Sequence, residues 1–150
     1  MSEATLQVFI DGVVRYFEHT SDKEVKLGTP YLIDNNAPAA FDYTGIIGVS
    51  GPYRGCVYFT APRALLRHLL LSLGEPETGT ENMIDLVGEV ANTISGNARS
   101  EFGNEFMISV PVVVQGAPDS IHLPKSLRSY VIPVYWKAYS AAVVISLTSY

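Results

Sequence analysis

Cysteine and basic residues are scarce in this chain of 150 residues. The one cysteine, Cys56, excludes an intramolecular disulfide and any metal site built from several cysteines. Ten Lys and Arg residues against fifteen Asp and Glu residues give a formal net charge of −5, so the chain lacks the positive field that nucleic acids and acidic membranes attract. No apolar run reaches the length of about 18 residues typical of a membrane span, and the acidic N-terminus differs from a basic signal peptide. These absences predict a cytoplasmic protein that binds neither nucleic acid nor membrane.

Motifs of several common enzyme classes are also missing. His19, His68 and His122 lie far apart and lack the spacing of a metal-binding helix. Ser50 is not part of a Gly-x-Ser-x-Gly elbow, and the glycines in residues 45–55 lack the spacing of a dinucleotide loop. The sequence therefore predicts no metal site, no catalytic serine and no nucleotide-binding loop.

The composition is typical of a folded domain, with 47% hydrophobic and 17% charged residues. Hydrophobic periodicity predicts the order helix, three strands, two helices, three strands. We therefore expect one α+β domain over residues 1–150, with a largely antiparallel sheet of about six strands and long helices on one face. Each half of the chain repeats a helix followed by hairpin-rich strands, which suggests an internal duplication.

Aromatic and β-branched runs define the six predicted strands. The second and third form a hairpin, and Pro133 in the fifth predicts an edge position or a bulge, because proline cannot donate to a neighbouring strand. The predicted strands cover residues 25–33, 43–49, 55–59, 106–115, 130–135 and 141–147.

Local signals place the ends of the second and third helices. Gly74 is the predicted stop of the second helix, and Thr78 with Glu81 fits a capping box at the start of the third. The third helix is predicted to run to about Phe102, with Gly103 in a left-handed conformation after it. The second helix is predicted to bury five leucines: Leu65, Leu66, Leu69, Leu70 and Leu73.

The third helix has an apolar and a polar face. Asp85, Glu89, Asn92 and Gly96 follow one another at spacings of 4, 3 and 4, and helix geometry directs them about 145° away from the apolar stripe. The helix therefore presents a carboxylate and a carboxamide, three residues apart, to solvent. The predicted apolar stripe consists of Ile84, Val87, Ala91, Ile94, Ala98 and Phe102.

Small residues surround the Glu89–Asn92 pair. Glycine in a helix interior costs about 1 kcal/mol relative to alanine. We therefore expect Gly88, Thr93 and Gly96 to let a partner approach this face. A Glu-x-x-Asn pair also occurs by chance in about one helix in twenty. The spacing alone therefore favours two ordinary solvated side chains over a functional pair.

Two stretches of the sequence are informative beyond this spacing: YTGIIGVSGPYRGCVYFTAP at residues 43–62 and DLVGEVANTISGNARSEFG at residues 85–103. Together with the leucine-rich helix between them, they resemble the CheX branch of the CheC/CheX/FliY chemotaxis phosphatase family. The resemblance spans residues 31–147 and places the family's motif on Asp85, Glu89, Asn92 and a later Pro111. The first helix has no Glu-x-x-Asn, as in the family's members with a single site.

The resemblance implies a phosphatase that acts on the aspartyl phosphate of a CheY-like response regulator in chemotaxis or two-component signalling. It implies that Asn92 orients the attacking water and that Glu89 pairs with a lysine of the regulator, with Asp85 and Pro111 in supporting positions. Mg²⁺ would belong to the regulator, so no cofactor is expected in this chain, and a homodimer is expected. The alternative is a non-catalytic interaction module of the same fold. A structural component of the flagellar switch is a third candidate.

Overall fold

One sheet of eight strands forms the centre of the part of the chain that the structure describes, and three helices pack against one of its faces. The computed structural model describes residues 2–18, 25–34, 39–115 and 128–149. The helices are α1 (Glu3–Glu18), α2 (Arg63–Ser72) and α3 (Thr80–Phe102). The strands are β1 (Val25–Leu27), β2 (Tyr31–Asp34), β3 (Tyr43–Ser50), β4 (Tyr53–Ala61), β5 (Met107–Ile108), β6 (Val112–Gln115), β7 (Arg128–Trp136) and β8 (Tyr139–Ser149).

Every strand pairing in this sheet is antiparallel, in the order β1-β7-β8-β4-β3-β5, with β2 also pairing with β7 and β6 with β3. The α+β class and the antiparallel sheet are therefore confirmed. The hairpins β3–β4 and β7–β8 meet through β4 and β8 at the centre of the sheet. The internal duplication stays a prediction.

The sheet has eight strands where the sequence predicts six, because two of the predicted strands are each divided into two. Residues 25–33 give β1 and β2, separated at residues 28–30, and residues 106–115 give β5 and β6, separated at residues 109–111. Each break contains a proline, Pro30 or Pro111, which has no backbone N–H to continue the ladder.

Pro133 does not occupy an edge strand, so the edge alternative of that prediction is wrong. β7 pairs with β8 on one side and with β1 and β2 on the other. The carbonyl of Pro133 accepts a hydrogen bond of 2.9 Å from the N–H of Gly28, in the gap between β1 and β2. The N and O of a strand residue point to the same side, so the missing N–H of Pro133 faces this gap and removes no ladder bond.

The helical face of the sheet holds the main core, which includes Trp136 and Phe59 among its fully buried side chains.

α1 runs antiparallel to α3 across this face. The Phe9 and Phe102 ring centroids are 6.0 Å apart, and further along α1 Gly12 lies against the Ile94 carbonyl. This crossing fixes α3 laterally.

The end of α2 confirms Gly74 as the helix stop. Gly74 has a φ of 84°, and its N–H donates to the Leu71 carbonyl over 3.1 Å, while the Glu75 N–H donates to the Leu70 carbonyl over 3.0 Å. This pair of bonds is a Schellman motif. The prediction that Leu73 is buried is wrong, because the helix ends at Ser72 and leaves Leu73 47% exposed. The other four leucines of the predicted stripe are buried: Leu65, Leu66, Leu69 and Leu70.

The two ends of α3 differ from their predictions. The N-cap is Gly79, without a side-chain cap, so the capping box of Thr78 and Glu81 is not formed. The Gly79 carbonyl accepts the first hydrogen bond of the helix, from the N–H of Met83 over 3.1 Å, and Thr78 lies one residue too early to cap. Gly103 has a φ of 99° with a ψ of 176°, which is glycine-specific backbone but not the predicted left-handed helical region.

A smaller cluster covers part of the opposite face of the sheet, around Tyr58, Val131 and Val144, with Cys56 packed against it. The Tyr58 hydroxyl donates to the Ala39 carbonyl over 2.7 Å. Burial raises the pKa of the Cys56 thiol to about 11. The thiol therefore stays protonated at neutral pH.

We expect Cys56 in the native chain to react slowly with a disulfide reagent at pH 8, because its thiolate fraction is roughly 100-fold below that of a free cysteine. The rate at which the reagent releases its coloured thiolate product, in buffer and in denaturant, measures this protection. Equal rates in the two solutions would contradict it.

Candidate functional site

α3 carries an exposed row on its outer face. Asp85, Glu89 and Asn92 are exposed, Gly96 is half-buried and opens on space, and Thr93 is half-buried beside them. The remaining faces of α3 pack on the sheet and on the other two helices. They bury Met83, Leu86, Val87, Gly88, Val90, Ala91, Ile94, Ser95 and Ala98. Of the predicted apolar stripe, Ile84 and Phe102 are only half-buried.

Glu89 and Asn92 are two of the three exposed polar side chains of the row. Among the described residues, neither the Glu89 carboxylate nor the Asn92 carboxamide has a hydrogen-bond partner. A carboxamide offers two donors and an acceptor, and a carboxylate offers only acceptors. Both groups are therefore free to bind a second molecule, and Asn92 can orient a water from both sides.

Glycine sets how close α3 lies to the sheet. A Cβ on Gly45 of β3 would lie 2.5 Å from the Val87 carbonyl oxygen, so the two backbones are in direct contact there. The sequence reasoning missed Gly45, although an isolated glycine within a strand signals such an approach. This contact fixes the height of the exposed row above the sheet.

Gly88 packs against other residues of this chain and does not face solvent. It is buried, and a Cβ there would lie 3.3 Å from Val113 and 3.5 Å from Pro111. Residues 109–111 form the loop between β5 and β6, and this loop packs over Gly88. Gly88 therefore contributes to partner binding only indirectly, through this loop. Pro111 itself is exposed on this loop, beside the row.

Ser109 holds the same loop in place. Its N–H donates to the Gly48 carbonyl over 2.9 Å, and the Gly48 N–H donates to Ser109 Oγ over 2.8 Å. The loop therefore presents the apolar side chain of Val110, which is 80% exposed, in a fixed position. The sequence reasoning did not identify Ser109 or Val110.

Tyr16 of α1 lies near enough to Glu89 to interact with it electrostatically. Burial, and then the negative charge of Glu89, raise the pKa of Tyr16. The phenol therefore keeps its proton at neutral pH and contributes a dipole, without a charge, to the surroundings of Glu89.

A groove of about 290 Å³ separates the end of α2 from the first half of α3. Glu89 stands at one side of it, so the groove is continuous with the exposed row. Leu70, Leu73 and Leu86 form its apolar surface, and Glu75 and Asp85 add two further carboxylates.

Other candidate chemistry finds no support among the described residues. They contain no cluster of three or more His, Cys, Asp or Glu suited to a metal ion. His68 packs edge-to-face against Trp136 with ring centroids 5.1 Å apart, as expected for a packed histidine, and His19 and His122 lie outside the described residues. Within the same ranges, no helix has both the length and the hydropathy of a membrane span.

Known structures share this fold across nearly the whole chain. A CheC-like superfamily protein from Shewanella sp. PV-4 is 28% identical with a TM-score of 0.84, covering 99% of this chain and 100% of its own. The chemotaxis protein CheX from Vibrio vulnificus is 25% identical with a TM-score of 0.81, covering 97% and 99%. A CheX–CheY–BeF3–Mg²⁺ complex from Borrelia burgdorferi matches at 18% identity and a TM-score of 0.80, covering 97% of this chain and 98% of the matched chain.

A comparison with curated protein sequences gives no significant match. The sequence profile of one family, described as chemotaxis phosphatase CheX, matches residues 43–135, which is more than half of the chain. This match includes α3, its exposed row and the Pro111 loop. The chain therefore belongs to the CheX family of chemotaxis phosphatases.

Proposed function

We propose that the chain removes the phosphoryl group from the aspartyl phosphate of a CheY-like response regulator. The observation that supports this most directly is the exposed pair of Glu89 and Asn92 on α3, neither of which has a hydrogen-bond partner among the described residues. The CheX of Borrelia burgdorferi, which shares the fold, is in a complex with CheY, BeF3 and Mg²⁺. A helix face that offers these two groups suits insertion into a partner's active site.

The reaction needs little from this chain beyond positioning. An acyl phosphate is already reactive, and phosphoryl transfer depends mainly on an in-line nucleophile and on charge stabilisation. The water oxygen bonds to phosphorus while the bond from phosphorus to the aspartyl oxygen breaks. The products are the free aspartate carboxylate and inorganic phosphate, and the protons of the water pass to phosphate and solvent.

Asn92 holds that water in our proposal. Its carbonyl oxygen accepts a hydrogen bond from the water, which directs a lone pair of the water oxygen toward phosphorus. Glu89, one turn earlier, pairs with a lysine of the regulator and sets the register of the two proteins. Asp85 and Pro111 support the row, Thr93 and Gly96 flank the contact, and Gly88 acts through the loop.

Mg²⁺ belongs to the regulator in this mechanism, so this chain needs no cofactor of its own. A homodimer and a cytoplasmic location are part of the same proposal, because CheY-like regulators are cytoplasmic and the described sheet ends in edge strands, which suit pairing with a second copy. Sedimentation of the purified chain tests the dimer.

Loss of label from a phosphorylated CheY-like regulator, with and without this chain, tests the activity. We expect clear acceleration by the wild type. No acceleration of regulators that the chain demonstrably binds would favour the non-catalytic interaction module and contradict the phosphatase proposal.

Glu89→Gln is expected to lower kcat/KM by about 30-fold, mainly through KM, because it removes the charge that meets the lysine. Glu101→Gln is the matched control, since Glu101 is exposed on the same helix outside the row. A Glu89→Gln variant with unchanged KM would show that no charge pair forms.

A further inference from the structure

The groove between α2 and α3 has walls of fixed shape. Its α2 side ends in the Schellman motif at Gly74, where two backbone hydrogen bonds lock the turn. Its α3 side belongs to the helix that Gly45 holds against the sheet. A volume of about 290 Å³ is enough for one or two side chains of a partner.

The charged side chains that line the groove are all acidic. Between Leu69 and Ala98 the chain contains no Lys, Arg or His, and its charged residues are Glu75, Glu77, Glu81, Asp85 and Glu89. Three of these carboxylates line the groove itself. A concave surface of one sign concentrates the field and attracts a group of opposite charge.

The floor of the groove is apolar. Leu70 and Leu86 are buried, and Leu73 at the rim is 47% exposed. Exposing a large aliphatic side chain beside carboxylates forfeits the free energy that its burial would provide. A partner that covers Leu73 would gain the free energy of burying this side chain.

We propose that the groove binds a basic, amphipathic segment of the response regulator, next to its phosphorylation site. An aliphatic side chain of that segment would contact Leu70, Leu73 and Leu86, and a flanking Lys or Arg would meet Glu75 and Asp85. Charge complementarity and continuity with Glu89 select this occupant. The inference rests on the proposed function for the identity of the partner, and it adds a second contact that determines which regulators are bound.

Affinity of the full chain for the regulator tests the groove without requiring turnover. The regulator carries beryllofluoride as a stable phosphoryl mimic, and calorimetry measures Kd at low and high salt. Glu75→Gln combined with Asp85→Asn removes two charges. The glutamine side chain keeps a carbonyl oxygen, which can still accept the hydrogen bond of 3.1 Å that the Glu77 N–H donates to Glu75. Leu73→Ser removes the apolar rim.

We expect about tenfold weaker binding for the charge variant, with a flatter salt dependence, and a similar loss for Leu73→Ser without a change in salt dependence. Glu101→Gln and Leu32→Ser are matched controls, because Glu101 is exposed on α3 outside the groove and Leu32 is 43% exposed on β2, which does not line the groove. Both controls should bind like the wild type.

Two outcomes overturn the inference. One is wild-type affinity and salt dependence in both groove variants. The other is a change in the sedimentation of the chain alone, with regulator affinity unaltered, which would make the groove a contact between two copies. A chain that binds in the predicted way but does not accelerate dephosphorylation would defeat the phosphatase proposal and still support the groove.

Discussion

Replacing Asn92 with alanine is expected to lower kcat for dephosphorylation by about 100-fold, since misplacement of a reacting group by about 1 Å already costs this much. Asn92 is exposed, so its truncation leaves the core of α3 intact. Binding of the regulator should fall much less than turnover, because Glu89 and the rest of the row remain. Single-turnover loss of label at saturating chain separates the two effects.

The variant Asn92→Asp tests whether the carboxamide group itself is required. Aspartate keeps the size of the side chain but loses the two N–H donors and adds a negative charge near the phosphoryl group. We expect it to be at least as damaging to kcat as alanine. Asn104→Ala, at an exposed asparagine outside the row, is the matched control. A wild-type kcat in the Asn92→Ala variant, with only weaker binding, would remove the water-positioning role.

Gly45→Ala is expected to destabilise the chain by about 3 kcal/mol, at the upper end of the cost of inserting a methyl group into a packed interface. The new Cβ would lie 2.5 Å from the Val87 carbonyl oxygen and 3.2 Å from the Gly88 Cα. These are backbone atoms, so no flexible side chain can move aside. α3 must therefore lift from β3, which would also displace the row that carries Asn92. Urea unfolding monitored by circular dichroism measures the loss.

Gly96→Ala is the control for the Gly45 variant. A Cβ at Gly96 meets nothing within 4 Å, so helix propensity alone acts, and we expect a gain of up to about 1 kcal/mol. If both variants shifted the urea midpoint in the same direction, the direct contact between α3 and β3 would not govern stability.

Long periodic segments were the predictable part of this fold. The outer row of α3 follows from a spacing of 3 and 4 residues, which needs no knowledge of the partners of the helix. The division of two predicted strands did not follow from the sequence, because Pro30 and Pro111 are compatible with a strand end, a turn or an edge until the neighbouring strands are known. The capping box failed because Thr78 and Gly79 both suit an N-cap, and the structure uses the later residue.

The candidate site shows the same limit. The motif and the resemblance predict a site at Asp85, Glu89, Asn92 and Pro111, and the CheX family is confirmed by the profile and by the similar structures. The contact of Gly88 with Pro111 joins two distant parts of the chain, so nothing in the local sequence favoured it over a role in partner contact. The α2–α3 groove likewise depends on where two helices end and how they pack.

The order of the strands has a consequence for how this chain folds. β1 and β2 complete the hairpin of the second half, while β5 and β6 complete the hairpin of the first half. The central pairing of β4 with β8 joins residues from opposite halves of the chain, and α3 lies in the loop that this pairing closes. Closing so long a loop is entropically slow, so contact order favours late and cooperative assembly. We expect neither half to fold when expressed alone, and the Glu89–Asn92 face to reach its native position only in the last folding step.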